Sequence, residues 1–377
     1  MADFWPRPQT GSAPSSPLLP LPVGEGYGEG CLPTDPLFRR ATRAASIRAG
    51  LLGLCFAVAT VPCRAAAPRS VTALAFAPDG KSLVAGSARS VRVYAIPDGK
   101  LASSITLDFA KITSLRFGAA GKLLVVAGGN PGIDGGVAIL EWPSAKASTK
   151  FGDHTDLVTA AEFDSATRRL LIASSDRRAE VLSWPGAQRL YSLDGHAGPI
   201  LGAAFSPDDK LIVTVSADRS VKVWDATDGS LQHSFSQHTD IVHGVAFRPR
   251  VLFDGQAVPF YCATGSEDRT VRVWQPAIGR MVRIVRGNDG PIFAVAYSPD
   301  GGKLYAAGQE GIIRVIDSDS DEIRQQWKAH EDWIYALAVS PVGDLLASAD
   351  WTGFVRLWRM EAAKWTMIQE LSRPVVP

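Results

Sequence analysis

The sequence predicts an all-β chain built from seven repeated four-stranded antiparallel sheets packed face to face. Three observations carry that expectation. First, an apolar residue followed five positions later by Phe, Tyr or Val recurs seven times: Val71 and Phe76, Ile112 and Phe117, Val158 and Phe163, Ile200 and Phe205, Val242 and Phe247, Ile292 and Tyr297, Ile334 and Val339. Successive starts are 41, 46, 42, 42, 50 and 42 residues apart, and self-similarity at a period of about 40 residues is the signature of a repeat architecture. Second, turn-formers close several of these strands, as in Pro78-Asp79-Gly80, Pro207-Asp208-Asp209, Pro299-Asp300-Gly301 and Pro341-Val342-Gly343. Third, a short β-branched run ending in Trp returns in Val221-Lys222-Val223-Trp224, Val271-Arg272-Val273-Trp274 and Val355-Arg356-Leu357-Trp358.

Each element of a repeat follows from these residues. Pro sets φ for the turn while Asp and Gly complete the reversal, so the first and second strands form a hairpin. The second strand is apolar and rich in small residues, for example Leu211-Ile212-Val213-Thr214-Val215-Ser216. The third is the run ending in Trp, and the fourth is more polar, as in Leu231-Gln232-His233-Ser234-Phe235. Apolar inner strands and alternating outer ones suit sheets covered on both faces by their neighbours. The last repeat can finish from its own C-terminus, because residues 364–371 follow Trp358 at the distance a fourth strand needs. Repeat 5 carries an insertion, Arg248 to Gln256, that lengthens its first hairpin.

Residues 1–68 read differently. The first 70 residues hold 10 of the 25 prolines, and a packed core is not expected there. Within this leader, Arg39, Arg40, Arg43 and Arg48 precede the apolar run Leu51 to Val61, which is followed by Ala65-Ala66-Ala67. That order of segments over 39–67 is the one found in an export signal. An internal position is unusual for a signal, and Met1 need not then be the biological start. The expectation is an extracytoplasmic protein, with a cytoplasmic chain bearing an unstructured tail as the alternative.

Composition excludes several classes. Lys and Arg number 39 against 38 Asp and Glu, a net charge of +1 among 377 residues, so no bulk electrostatic case exists for a nucleic-acid partner. No apolar run reaches the roughly 18 residues of a stable membrane span. Three of the four cysteines fall in the first 63 residues, which leaves no disulfide framework or cysteine-rich metal site in the repeats. The Gly-rich stretch Gly128 to Gly136 reads as an enlarged turn in repeat 2, with too few acidic oxygens for calcium. No cofactor and no metal are expected.

The segment Ser216-Ala217-Asp218-Arg219-Ser220-Val221-Lys222-Val223-Trp224-Asp225, preceded by Gly195-His196, resembles the WD-repeat family. The resemblance recurs seven times over roughly residues 71–371 and implies a seven-bladed β-propeller. It also implies that a His, a Ser or Thr, an Asp and a Trp form a hydrogen-bonded chain within each blade. Residue by residue, repeat 4 supplies His196, Ser216, Asp218 and Trp224, and repeat 5 supplies His238, Ser266, Asp268 and Trp274. Repeat 3 has His154, Ser174 and Asp176, with Leu182 in the Trp place. Repeat 2 keeps Asp134. Repeat 6 is assigned His330, with Glu310 for Asp and Ile316 for Trp; repeat 7 keeps Trp358, with Thr352 for Asp. The networks are thus expected to be complete in mid-chain and worn towards both ends. These are structural roles, and no catalytic residue is expected.

By the same resemblance, protein partners dock on the narrow face around the channel mouth. The positions that point there include Leu201, Ile241, His243 and Phe293, and in repeat 7 Trp333, Tyr335 and Trp351. The last three with Phe293 would put four aromatic rings on an exposed rim, which is the material of interface hot spots. The expected function is a monomeric, non-catalytic platform for protein partners. Two alternatives stand beside it: an accessory subunit of an exported redox or hydrolytic enzyme, and a propeller enzyme with its active site at the channel mouth. The latter needs converging acids, a His or a metal on the rim.

Overall fold

β-Branched runs punctuated by Pro, Asp and Gly fold each repeat into four antiparallel strands in sequence order, and seven such sheets make the ring of a seven-bladed β-propeller. The structure is a computed structural model that describes residues 70–371 apart from 119–120, 250–251, 254–255, 258 and 363. The leader expected over 1–68, with its signal-like segment, lies outside these residues.

Blade 4 shows the rule. Its strands are Ile200–Phe205, Leu211–Ser216, Val221–Asp225 and Leu231–Phe235, from the centre outward. The second and third are buried on both faces, which is why they read as near-continuous Val and Ile, whereas the outermost exposes Leu231, Gln232 and Ser234. Blade 7 consists of Ile334–Val339, Leu345–Asp350, Val355–Glu361 and Lys364–Leu371, so all four of its strands come from the C-terminal part of the chain. In blade 5 the insertion forms a two-stranded hairpin, Leu252–Phe253 with Gln256–Ala257.

The core is divided among the blade interfaces. Apolar clusters of buried residues join each blade to the next, such as Val213, Phe235, Cys262 and Trp274 between blades 4 and 5. Val71, Leu74 and Tyr94 of blade 1 pack with Leu345, Leu357 and Leu371 of blade 7, which closes the ring by side-chain burial.

The Gly-rich stretch of blade 2 differs from its expected form. It is a tight reversal, with strands Leu123–Asn130 and Asp134–Glu141 paired all the way to Asn130 and Asp134. Glycine is needed in these strands because the neighbouring backbone comes so close: a Cβ on Gly135 would meet the Asp156 carbonyl oxygen at 2.1 Å.

One irregularity recurs at the hub. In blades 2 to 7 the first strand skips a residue in its pairing with the second, and the skipped residues are Thr113, Thr159, Leu201, His243, Phe293 and Tyr335. A bulge re-aims the side chain it releases. Together with Thr72 of blade 1, these residues ring a central pocket of about 200 Å3.

Candidate functional site

Polar side chains gather in two places: in buried chains inside the blades, and in the ring around the channel.

In blade 4, His196 Nδ1 lies 2.9 Å from Asp218 Oδ2, and His196 Nε2 lies 2.7 Å from Thr214 Oγ1. Trp224 Nε1 donates to the same hydroxyl at 2.8 Å. Blade 5 repeats this with His238, Asp268, Thr264 and Trp274, at 2.7, 2.8 and 2.8 Å. The hydroxyl that joins His to Trp is therefore Thr214 or Thr264, and not Ser216 or Ser266. Those serines do another job: Ser216 Oγ donates to the Gly198 carbonyl and accepts the Asp218 N–H, and Ser266 does the same with Asp240 and Asp268. They tie the loop that carries His to the turn that carries Asp.

Blade 7 also holds a complete chain. His330 Nδ1 lies 2.8 Å from Asp350 Oδ2, His330 Nε2 lies 2.7 Å from Ser348 Oγ, and Trp358 Nε1 donates to Ser348 at 2.9 Å. His330 thus belongs to blade 7, not to blade 6, and the acid comes from two residues before Thr352. The Thr352 hydroxyl donates to Asp350 at 2.7 Å, which holds the shifted carboxylate in place. Completeness is accordingly not confined to mid-chain. In blade 6, Glu310 accepts two bonds from Arg314, at 2.7 and 3.1 Å. In blade 2, Asp134 closes its own hairpin by accepting from Asn130. Blade 3 keeps the His154–Asp176 pair, at 2.9 Å, and Ser174 accepts the Asp176 N–H as Ser216 accepts that of Asp218, but the chain stops at the histidine.

Proton direction follows from the donors. Trp224 Nε1–H can only donate to Thr214, so the Thr214 hydroxyl is free to donate to His196 Nε2, and Nδ1–H then donates to Asp218. With a neutral imidazole every link of this chain then has one donor and one acceptor. Burial lowers the pKa of His196 and of His238, outweighing the neighbouring carboxylates that would raise it. For the acids, burial works upward, but hydrogen bonds from Ser220 and His196 hold the Asp218 carboxyl well below the usual carboxylate range. Bonds from His238 and Thr270 do the same for Asp268, and bonds from His330 and Thr352 for Asp350.

All these folded-state values lie below the unfolded ones, so the unfolded chain binds more protons on acidification. Stability carried by His196 and His238 is complete above about pH 6.5 and is lost as pH falls through their folded values. Stability carried by Asp218, Asp268 and Asp350 is complete above about pH 4 and is lost below that. The expected slope is up to about 1.4 kcal/mol per pH unit for each extra proton bound by the unfolded chain. Urea denaturation at pH 7.5, 6 and 5 reads it, and a stability that holds constant or rises over that series contradicts the neutral-histidine chain.

The channel wall changes character around the ring. In blades 1 to 3 threonines stitch each blade to the next: Thr72 donates to the Ile112 carbonyl, Thr113 to that of Val158, and Thr159 to that of Ile200 at 2.8 Å. In blades 5 to 7 rings replace hydroxyls. His243 meets Phe293 edge-on at 5.0 Å, and Phe293 stacks on Tyr335 at 5.0 Å with planes 5° apart. His243 Nε2 also lies 2.8 Å from Glu267 Oε1. Leu201 and Ile241 are half-buried.

Of the four aromatics expected on an exposed rim, two are in the wall. Phe293 and Tyr335 line the pocket, while Trp333 and Trp351 are 41% and 49% exposed. The Trp351 N–H donates to the Trp333 carbonyl at 2.9 Å, which sets both indoles at the same end of the blade. Tyr335 lies between them, 6.3 Å from Trp333 and 5.7 Å from Trp351.

The fold and its polar chains define a WD-type propeller, and comparison with known proteins agrees. The family described as "WD domain, G-beta repeat" matches residues 61–95, 187–225, 229–275, 279–317 and 321–359, more than half of the chain. The chain belongs to this family, whose propellers generally bind protein partners. It is similar to actin-interacting protein 1 of Drosophila melanogaster, 32% identical over 28% of this chain and 18% of that protein. It is also similar to the WD repeat-containing protein VIP3 of Arabidopsis thaliana, 30% identical over 31% and 36%. A third relative is the nuclear distribution protein PAC1 of Coccidioides posadasii, 30% identical over 21% and 17%. The matched part thus spans about a third or less of these relatives' length.

Proposed function

We propose that this chain is a non-catalytic scaffold that binds protein partners at the end of the ring where the first strands begin, with Trp333 and Trp351 as its anchors. One observation carries the reading: a continuous run of rings from His243 through Phe293, Tyr335 and Trp333 to Trp351 that begins in the channel wall and ends in two exposed indoles. Stacking fixes the inner rings, so the outer indoles stand on a rigid base and lose little freedom on binding. Half-buried Leu201 and Ile241 add apolar surface in blades 4 and 5. With residues 39–67 acting as an export signal, the partners are periplasmic or extracellular.

Trp333→Ala combined with Trp351→Ala should leave urea stability within about 1 kcal/mol of the parent, because both residues are about half exposed at the surface. The proteins crosslinked to the parent chain in its native host should disappear from the pull-down with the double variant. Retention of the same crosslinked set rejects the surface.

A further inference from the structure

Blade 3 departs from its neighbours in a way that leaves a histidine nitrogen aimed at carboxylates. In blades 4, 5 and 7 the Nε2 of the motif histidine is taken up by Thr214, Thr264 or Ser348. Blade 3 has Ile172 at the hydroxyl position and Leu182 at the tryptophan position. His154 is 3% exposed, and its Nε2 has no hydrogen-bond partner. That nitrogen lies 3.7 Å from Glu180 Oε1. A buried polar atom left unpaired calls for a reason.

The tautomer can be read from the partners. Asp176 accepts from the N–H groups of Thr155 and Arg178 and from the Arg178 guanidinium. It is therefore an ionised acceptor and His154 Nδ1 carries the proton towards it, so Nε2 is the nitrogen on the Glu180 side that is left for a metal. A carboxylate holding the far nitrogen in this way is the arrangement that orients metal-ligating histidines.

Charge at one strand position points the same way. On the third strand, opposite the hydroxyl position, blades 1, 4, 5, 6 and 7 carry Arg92, Lys222, Arg272, Arg314 and Arg356. In blades 5 and 6 this cation turns back onto the blade's own acid: Arg272 lies 3.4 Å from Asp268, and Arg314 2.7 Å from Glu310. Blade 3 has Glu180 there instead, 8% exposed. Asp153, next to His154 at the end of the strand Ala147–His154, brings a second carboxylate. Donor atoms of Asp153, His154 and Glu180 all lie within 4.8 Å of one another.

We propose that Asp153, His154 Nε2 and Glu180 form a binding site for a divalent transition-metal cation, zinc by the character of its donors. An imidazole nitrogen with two carboxylate oxygens suits Zn2+, whereas Ca2+ asks for six or more oxygens and Mg2+ keeps its waters. Tetrahedral bonds of about 2.0–2.2 Å put donor atoms about 3.3–3.6 Å apart. The 3.7 Å between His154 and Glu180 is nearly that already, and from the 4.8 Å limit of the cluster the exposed Asp153 carboxylate has to close by at most about 1.5 Å. A pocket of about 340 Å3 bordered by Asp153, Glu180, Leu182 and Arg189 gives entry and room for a water ligand. Arg189 Nη1, 3.6 Å from Glu180 Oε2, competes with the metal for that carboxylate.

The test uses the full chain, stripped with a chelator and titrated with ZnCl2 by calorimetry under chelator competition. The parent should bind one equivalent that Glu180→Gln weakens at least about tenfold. Asp153→Asn, a surface change that leaves the fold alone, should weaken it several-fold. Arg189→Ala should tighten it, because the competing cation is gone. ZnCl2 should raise the parent's Tm more than that of Glu180→Gln. Zinc held by the leader cysteines, His233 or His243 responds to none of these changes. Absence of binding, or equal affinity in the parent, Glu180→Gln and Asp153→Asn, overturns the site.

Discussion

Trp274→Ala is expected to destabilise the propeller by about 3–5 kcal/mol, the usual cost of removing a large ring from a closed core. Trp274 is fully buried, its indole stacks on Phe235 of blade 4 at 4.7 Å, and its N–H donates to Thr264. The substitution removes apolar contact at the blade 4–5 interface, leaves a cavity between two sheets that cannot collapse independently, and takes one partner from the Thr264 hydroxyl. The contrast is Trp351, half exposed, where alanine should change stability by no more than about 0.5 kcal/mol. Urea midpoints of the two variants measure the difference. A Trp274→Ala midpoint close to that of the parent would falsify the assignment of this ring to the blade interface.

The ring of seven sheets was legible because each repeat must solve the same burial problem with the same alternation, and seven solutions in one chain reinforce each other. What was hidden is depth within a blade. Residues 214 and 216 share a face of their strand and both carry hydroxyls, so the pattern alone does not say which one reaches the histidine. A signal was nevertheless present: Thr214, Thr264 and Ser348 each stand ten residues before their Trp, a spacing that Ser216 and Ser266 do not share. His330 likewise precedes Ile334 by four positions, as His196 precedes Ile200, which assigns it to blade 7. The channel wall was less legible. Whether Phe293 and Tyr335 face solvent or each other depends on a bulge and on the angle between blades, and neither is written in a local motif. The cluster of Asp153, His154 and Glu180 was out of reach for a further reason: its members meet only when the outer strand of blade 2 runs past the third strand of blade 3.

Thr214→Val should cost about 2–4 kcal/mol, more than Ser216→Ala, and the order of the two is the sharper test of the polar chain. Valine matches threonine in shape, so no cavity is made, but two buried groups lose their partner at once: the acceptor His196 Nε2 and the donor Trp224 Nε1–H. Each buried group left unpaired costs about 1–3 kcal/mol. Ser216→Ala gives up a bond to the Gly198 carbonyl and one from the Asp218 N–H, both near loops where water can substitute, and about 1 kcal/mol is expected. Thr214→Ser keeps the hydroxyl, as blade 7 does with Ser348, and should recover most of the loss. If Ser216→Ala is the more damaging change, the hydroxyl that joins histidine to tryptophan has been assigned to the wrong residue.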